Sequence, residues 1–189
     1  MSKKLIQEAK DLAKKFHAGQ KRWDGEDYFK NHLLVVGEMC SCCWGPNEQV
    51  VGILHDILED TACTREDLFK IGVNGAGDNL IHAVDAITKN DDEEYDEYLA
   101  RCGANKIARR VKKIDLRHNL SSLSDGEHKQ RRAKYRVAYS YLDLLDKHEA
   151  EIEETMTEPL STLEKIFGDK LPSFFQKPLS SEDYAGDHA

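Results

Sequence analysis

Apolar residues recur along this chain at helical rather than strand spacing. Leu5, Ala9, Leu12, Ala13 and Phe16 follow an i, i+3, i+4 rhythm and predict a first amphipathic helix. The stretch HAGQKRWDGEDYFKN breaks the rhythm with glycine and polar residues and reads as a loop. A second helix is expected over about residues 32–43, with Leu33, Val36 and Met39 on one face. WGPNEQ is a break, and a third helix follows over about residues 48–59. TREDLFKIG reads as a short capped helix, with Thr64 as N-cap, acids in the first turn and Gly72 past the end. VNGAGDN reads as a connector into a helix at 78–88. It lacks the Lys-Ser/Thr of a phosphate-binding loop and a preceding strand. KNDDEEYDEY is an acidic run that reads as a solvated loop or a helix start.

Long helices are expected at about 105–120 and 128–149, the latter with Tyr135, Ala138, Tyr139, Leu142 and Leu145 on its apolar side, and a short one near 160–167. No segment alternates as a half-buried strand does, and no internal repeat is visible. The expected fold is all-α, a single-domain helical bundle over residues 1–170, with a polar, disordered tail at 171–189 that ends in SSEDYAGDHA.

Composition narrows the classes of function. The 189 residues carry a net charge of -8, which argues against general nucleic-acid or anionic-membrane binding. A small phosphorylated ligand, held by a few cations or a metal, remains compatible. No apolar run approaches the ~20 residues of a membrane span. MSKKLIQEAKDLAKKF lacks a signal-peptide core, so a cytoplasmic protein is expected. The five cysteines, Cys40, Cys42, Cys43, Cys63 and Cys102, read as reduced thiols; Cys40 and Cys42/Cys43 are spaced too tightly for a zinc knuckle, and no second pair follows.

The third helix carries the chemistry. GILHDILEDT places His55 beside Asp56 and Glu59 beside Asp60 in an apolar run. Buried charge is costly unless paired or metal-bound. On a continuous helix His55 would stack on Glu59 and Asp56 on Asp60, with all four on one broad edge. His32 opens the preceding helix, and Asp115 lies between Ile114 and Leu116. Two His and two Asp from three helices make a mixed N/O set suited to Mn²⁺, Fe²⁺ or Zn²⁺ rather than a calcium loop.

These residues resemble the H…HD…D pattern of the HD-domain metal-dependent phosphohydrolases. The fit is closer to one branch, the RelA/SpoT hydrolase domain and the stand-alone small alarmone hydrolases. That branch reads H-x-G-Q-x-R-K-x-G-x-P-Y, HP, LLHD-x-x-EDT and K-x-x-D-x-x-x-N. Here stand HAGQKRWDGEDY, NHLL, ILHDILEDT and KKIDLRHNL, with AITK at 86–89 similar to a VTK of the branch, in order over residues 5–145. The resemblance implies an HD-type bundle with His32, His55, Asp56 and Asp115 as ligands of Mn²⁺ or another divalent transition metal. It implies Glu59 and Asp60 as the pair that orients and deprotonates water. It implies Arg22, Tyr28, Lys112 and Asn119 as contacts to a phosphorylated nucleotide.

The pattern also departs. Trp23 replaces a Lys, giving a stacking surface in place of a cation, Asp27 and Leu33 replace prolines, and the span from Gly25 to His32 is one residue longer. Counting forward makes Tyr28 the family tyrosine; counting back makes it Phe29. His17 reads as a polar helix-end residue, and His82 and His148 as exposed. His118 fits a pocket or a surface position equally well. Arg109, Arg110 and Lys113 read as a solvated face, with Lys112 the one set apart. The leading expectation is a stand-alone hydrolase of the 3′-pyrophosphate of guanosine tetra- or pentaphosphate. The alternatives are another nucleotide (the 2′-phosphate of NADPH or a nucleoside monophosphate) and a catalytically weak nucleotide-binding or antitoxin module. A homo-oligomer is left open.

Overall fold

The computed structural model describes residues 3–73, 80–124 and 128–157, with side chains as far as 151. Met1–Leu145 forms one compact unit and Asp146–Ala189 a second. Among the described residues there is no strand, only one isolated antiparallel bridge between Lys21 and Asp27. The short helix expected near 160–167, the tail, the boundary at 170 and most of the glycine-rich loop lie outside the described residues.

Helix α1 (Lys3–Phe16) buries Leu5, Ala9 and Ala13 and turns its lysines outward, as its rhythm predicts. The loop that follows is held by bonds from Tyr28 N–H to the Gln20 carbonyl and from Arg22 N–H to the Glu26 carbonyl. The second helix begins earlier than its sequence suggests, as a π-helical turn at Phe29–Leu33 that runs into α2 (Leu34–Cys43). Such widened turns are short and concentrate at functional sites. This one carries His32, which is fully buried.

Helix α3 (Pro46–Leu54) starts with proline at its first turn, where a missing N–H costs nothing. It meets α2 at two glycines. A Cβ at Gly52 would stand 3.0 Å from Gly37 Cα, and one at Gly37 would stand 2.6 Å from Ile53 Cγ1. The helices approach this closely only because both side chains are absent.

The expected third helix is not continuous. It stops at Leu54, and α4 (Ile57–Asp60) starts after a break at His55 and Asp56. Asp56 sits at φ -104° and ψ 2°, outside the helical basin. Helix α5 (Arg65–Lys70) follows, with a capping box between Thr64 and Asp67 and Gly72 at φ +85° past its end.

Helix α6 (Leu80–Ile87) is succeeded by α7 (Tyr95–Ala104), so the acidic run ends as a helix start. In α8 (Lys106–Ser122) Asn105 caps the N-terminus by accepting from Ala108 N–H. Helix α8 runs through the core, burying Ala108, Val111, Ile114 and Asp115. Helix α9 (Lys129–Thr157) places Ala138 and Leu142 against Leu99 and Leu116, with Tyr135, Tyr139 and Leu145 alongside.

The basic cluster of α8 is not a solvated face. Arg109 and Lys113 are buried, Arg109 donating to the Gly103 carbonyl at 2.7 Å and Lys113 to Asp143 at 2.7 Å. Arg110 pairs with buried Glu48 at 2.7 Å. Their periodicity looks polar, but each long side chain reaches a partner and buries its stem. His17 directly follows the last residue of α1, the helix end that the sequence suggests, and is buried there.

Candidate metal centre

The break at His55 and Asp56 has a direct consequence. On a continuous helix, adjacent side chains point about 100° apart. With the break, both turn to one point, and His55 Nε2 lies 2.9 Å from Asp56 Oδ2. His32 reaches the same point from the π-helical turn, its Nε2 3.2 Å from His55 Nε2 and 3.6 Å from Asp56 Oδ2. Asp115 arrives from α8, with Oδ1 at 3.3 Å from His32 Nε2 and 3.7 Å from His55 Nε2. His32, His55 and Asp115 are buried, and their ligand atoms all lie within 4.8 Å of one another.

This donor set fits a divalent transition metal. Ligands about 2.1 Å from such an ion lie about 3.0–3.5 Å from one another, close to the spacing seen here. Two facing imidazole nitrogens, buried beside two carboxylates, need a proton or a cation between them. Without a metal, burial opposes the charge on His55, but Asp56 and Asp115 outweigh it and push the imidazole up to about 10.

The surroundings orient each group. His55 Nδ1 is 2.7 Å from the Gly52 carbonyl, which can only accept, so Nδ1 carries the hydrogen and Nε2 faces inward. Asp115 accepts from Lys112 Nζ at 2.9 Å and from Asn119 Nδ2 at 2.6 Å. Burial works against its charge, but Lys112, and after it His55, hold its carboxyl well below the usual range. Lys112 is itself driven well above the usual lysine range by Asp115, against the opposing effect of burial. Tyr28 donates to Asp56 Oδ2 at 2.5 Å. It is therefore Tyr28, not Phe29, that reaches the cluster; Phe29 packs on the core.

Glu59 and Asp60 diverge from this centre. Glu59 Oε2 accepts from the Lys89 backbone N–H at 2.9 Å, and Asp60 Oδ2 from Gln20 Nε2 at 3.1 Å. Gln20 is in turn held by His17 Nδ1 at 2.6 Å. Burial, then the charge of Asp56, raises the carboxyl of Asp60, which the Gln20 bond partly offsets. Glu59 is raised by burial, with the Lys89 bond opposing. The loop carrying Lys89 is clamped by Arg101, which donates to the Asp85 and Thr88 carbonyls at 2.7 and 2.8 Å and pairs with Glu93 at 2.6 Å.

The residues expected to meet a nucleotide fall into two groups. Tyr28, Lys112 and Asn119 bond to Asp56 or Asp115. Buried Arg22 bonds to Ser122 Oγ at 2.8 Å and contacts His118 Nδ1 at 3.3 Å. Trp23 alone of the five stands in solvent, 53% exposed, edge-on to His128.

Three participants escaped the sequence reading: Gln20, Arg101 and, as more than an even choice, His118. His118 Nδ1 lies 2.9 Å from His32 Nδ1. Its spacing, three residues after Asp115 on one helix face, was the available signal. Arg101 and Gln20 reach the site through backbone carbonyls and a loop, which no spacing reveals.

No protein-family model matches the chain. It is 31% identical over 130 residues to a GTP pyrophosphokinase of Streptomyces coelicolor, covering 69% of this chain and 15% of that protein. It is 40% identical over 67 residues to a probable guanosine-3′,5′-bis(diphosphate) 3′-pyrophosphohydrolase of Mycoplasma pneumoniae, covering 35% of this chain and 9% of that one. The chain thus spans less than a fifth of the length of these curated relatives. A solved structure described as a metazoan orthologue of SpoT that hydrolyses ppGpp matches with a TM-score of 0.59 at 24% identity, over 77% of this chain and 87% of that one. Together with the helical fold and the H…HD…D residues, these similarities support an HD-type domain similar to the RelA/SpoT hydrolases.

Proposed function

We propose that this chain is a Mn²⁺-dependent hydrolase that removes the 3′-pyrophosphate of guanosine tetra- or pentaphosphate, leaving GDP or GTP and pyrophosphate. The observation that carries the reading is the buried cluster of His32, His55 and Asp115, all within 4.8 Å. Relatives named as 3′-pyrophosphohydrolases support the substrate class.

In this reading His32, His55, Asp56 and Asp115 hold the ion. When bound, the cation lowers the pKa of water and neutralises phosphate oxygens. Water oxygen bonds to the phosphorus attached to the 3′ oxygen, the bond between that phosphorus and the 3′ oxygen breaks, and the 3′ oxygen ends protonated. Glu59 and Asp60 orient the water and take its proton, their raised carboxyls suiting a base better than ordinary ones. Lys112, Asn119 and Tyr28 keep the two aspartates aimed, and meet the nucleotide from there. Trp23 offers its exposed ring to the base, and Arg22 orders the loop that carries it. The setting is cytoplasmic, the partner a phosphorylated nucleotide rather than nucleic acid. Among the described residues no helix is long and apolar enough to cross a membrane.

The test is product analysis with purified protein, Mn²⁺ and guanosine tetraphosphate. GDP and pyrophosphate are expected; their absence overturns the reading. A second reading, another nucleotide such as NADPH or a nucleoside monophosphate, is favoured by exposed Trp23 where the family has a cation. The same assay across a panel of these substrates decides between the two.

A further inference from the structure

We infer that His118 is a positioning residue: held by Arg22, it keeps the proton of His32 on Nδ1 and so turns His32 Nε2, as a bare lone pair, toward His55 and Asp115. The inference rests on the metal reading of the site and assigns the group that prepares one of its ligands.

The argument is one of donors and acceptors. A guanidinium donates and never accepts. Arg22 Nη1 lies 3.3 Å from His118 Nδ1, so that nitrogen presents its lone pair. The same His118 Nδ1 is 2.9 Å from His32 Nδ1. Two bare nitrogens would repel at that distance, so His32 Nδ1 carries the hydrogen. Its proton thus placed, Nε2 is left unprotonated, and Nε2 is the atom 3.3 Å from Asp115 Oδ1 and 3.2 Å from His55 Nε2.

Arg22 cannot swing away. It is buried, bonds to Ser122 Oγ at 2.8 Å, and sits 3.5 Å from both the Asn31 carbonyl and Asp24 Oδ2. His118 lies one helical turn after Asp115, so it is fixed on the same rigid element as a ligand. The two imidazoles are therefore prepared by different means. His55 is set by the Gly52 carbonyl, which no substitution removes; His32 is set by a side chain, which one can.

The test compares wild type, His118→Asn, which returns an acceptor near the Nδ1 position, and His118→Leu, which removes it. Nitrogen-15 imidazole spectra of the metal-free proteins read the His32 tautomer directly. Calorimetric titration with Mn²⁺ reads affinity without any turnover. The expected result is Nδ1-protonated His32 in wild type and His118→Asn, a shift to the other tautomer in His118→Leu, and Mn²⁺ binding weakened about 10–100-fold in His118→Leu alone. Wild-type His32 protonated on Nε2 overturns the inference, as does a His118→Leu protein that binds Mn²⁺ like wild type. A wild type that binds no Mn²⁺ sinks the metal reading, while the metal-free spectra still decide the tautomer. Should His118→Leu fail to fold, the wild-type spectrum and His118→Asn carry the decision.

Discussion

Two pairs in one ten-residue motif, His55–Asp56 and Glu59–Asp60, are built on opposite terms. The first pair is inside, each member bonded to fixed groups: His55 to the Gly52 carbonyl, Asp56 to Tyr28 and His55. The second pair is at the solvent edge and rests on loops: Glu59 on Lys89 N–H, Asp60 on Gln20. The first pair forms the break between α3 and α4, and the second sits on α4 itself. A binding framework needs overdetermined geometry, because a ligand atom displaced by an ångström is lost. In the proposed function the outer pair handles water and substrate, which needs access, and loops supply it.

That contrast can be broken most sharply at Asp115. Asp115→Asn should remove the metal and lower kcat/KM by on the order of 10³ or more. Elemental analysis and steady-state kinetics on the same preparation check both halves. Glu59→Gln should act on the other pair only, reducing kcat by roughly 10²–10³ with metal content unchanged. A loss of metal in Glu59→Gln would erase the distinction between inner and outer pair.

pH offers a third cut. With no metal bound, burial disfavours charged His55, yet Asp56 and Asp115 raise it from 6.5 to about 10. A raised imidazole contributes stability that is fully present below its unfolded value and is lost as pH rises through its folded one. The melting temperature of chelator-treated protein should therefore fall between pH 6.5 and about 10. Mn²⁺-saturated protein, with His55 held neutral as a ligand, should lack that slope. Equal slopes in the two preparations would mean the cluster's proton is not what the ion replaces.

Gly52→Ala should cost about 1–3 kcal/mol in urea unfolding, because the new methyl meets α2 backbone. It should also weaken Mn²⁺ binding, since the Gly52 carbonyl aims His55. The smallest effect is expected at the rim. Trp23→Lys should leave stability within about 0.5 kcal/mol, and shift KM between guanosine tetraphosphate and NADPH by several-fold, as a substrate panel would show.

Much of the architecture was legible from periodicity. The faces of α1 and α9 follow apolar spacing, and the cap at Thr64 follows from side-chain chemistry. The same logic misread the third helix as continuous, since Ile53, Leu54, Ile57 and Leu58 keep a helical rhythm across the break. It also read Arg109 and Lys113 as solvated, because spacing shows a polar face but not the partner that a long side chain will reach.

For the site, the types and order of His32, His55, Asp56 and Asp115 were readable, because few arrangements of two imidazoles and two carboxylates make sense among apolar neighbours. That they converge was expected; how they converge was not legible, since it depends on a π-helical turn, a helix break and a glycine contact that bring three chain segments to one point. The sequence by itself determined which chemical groups are present and in what order they follow along the chain. Only the tertiary structure decided which atoms face one another, and so which nitrogen of His32 is left bare, because donors and acceptors are assigned by contacts 86 and 96 residues apart along the chain.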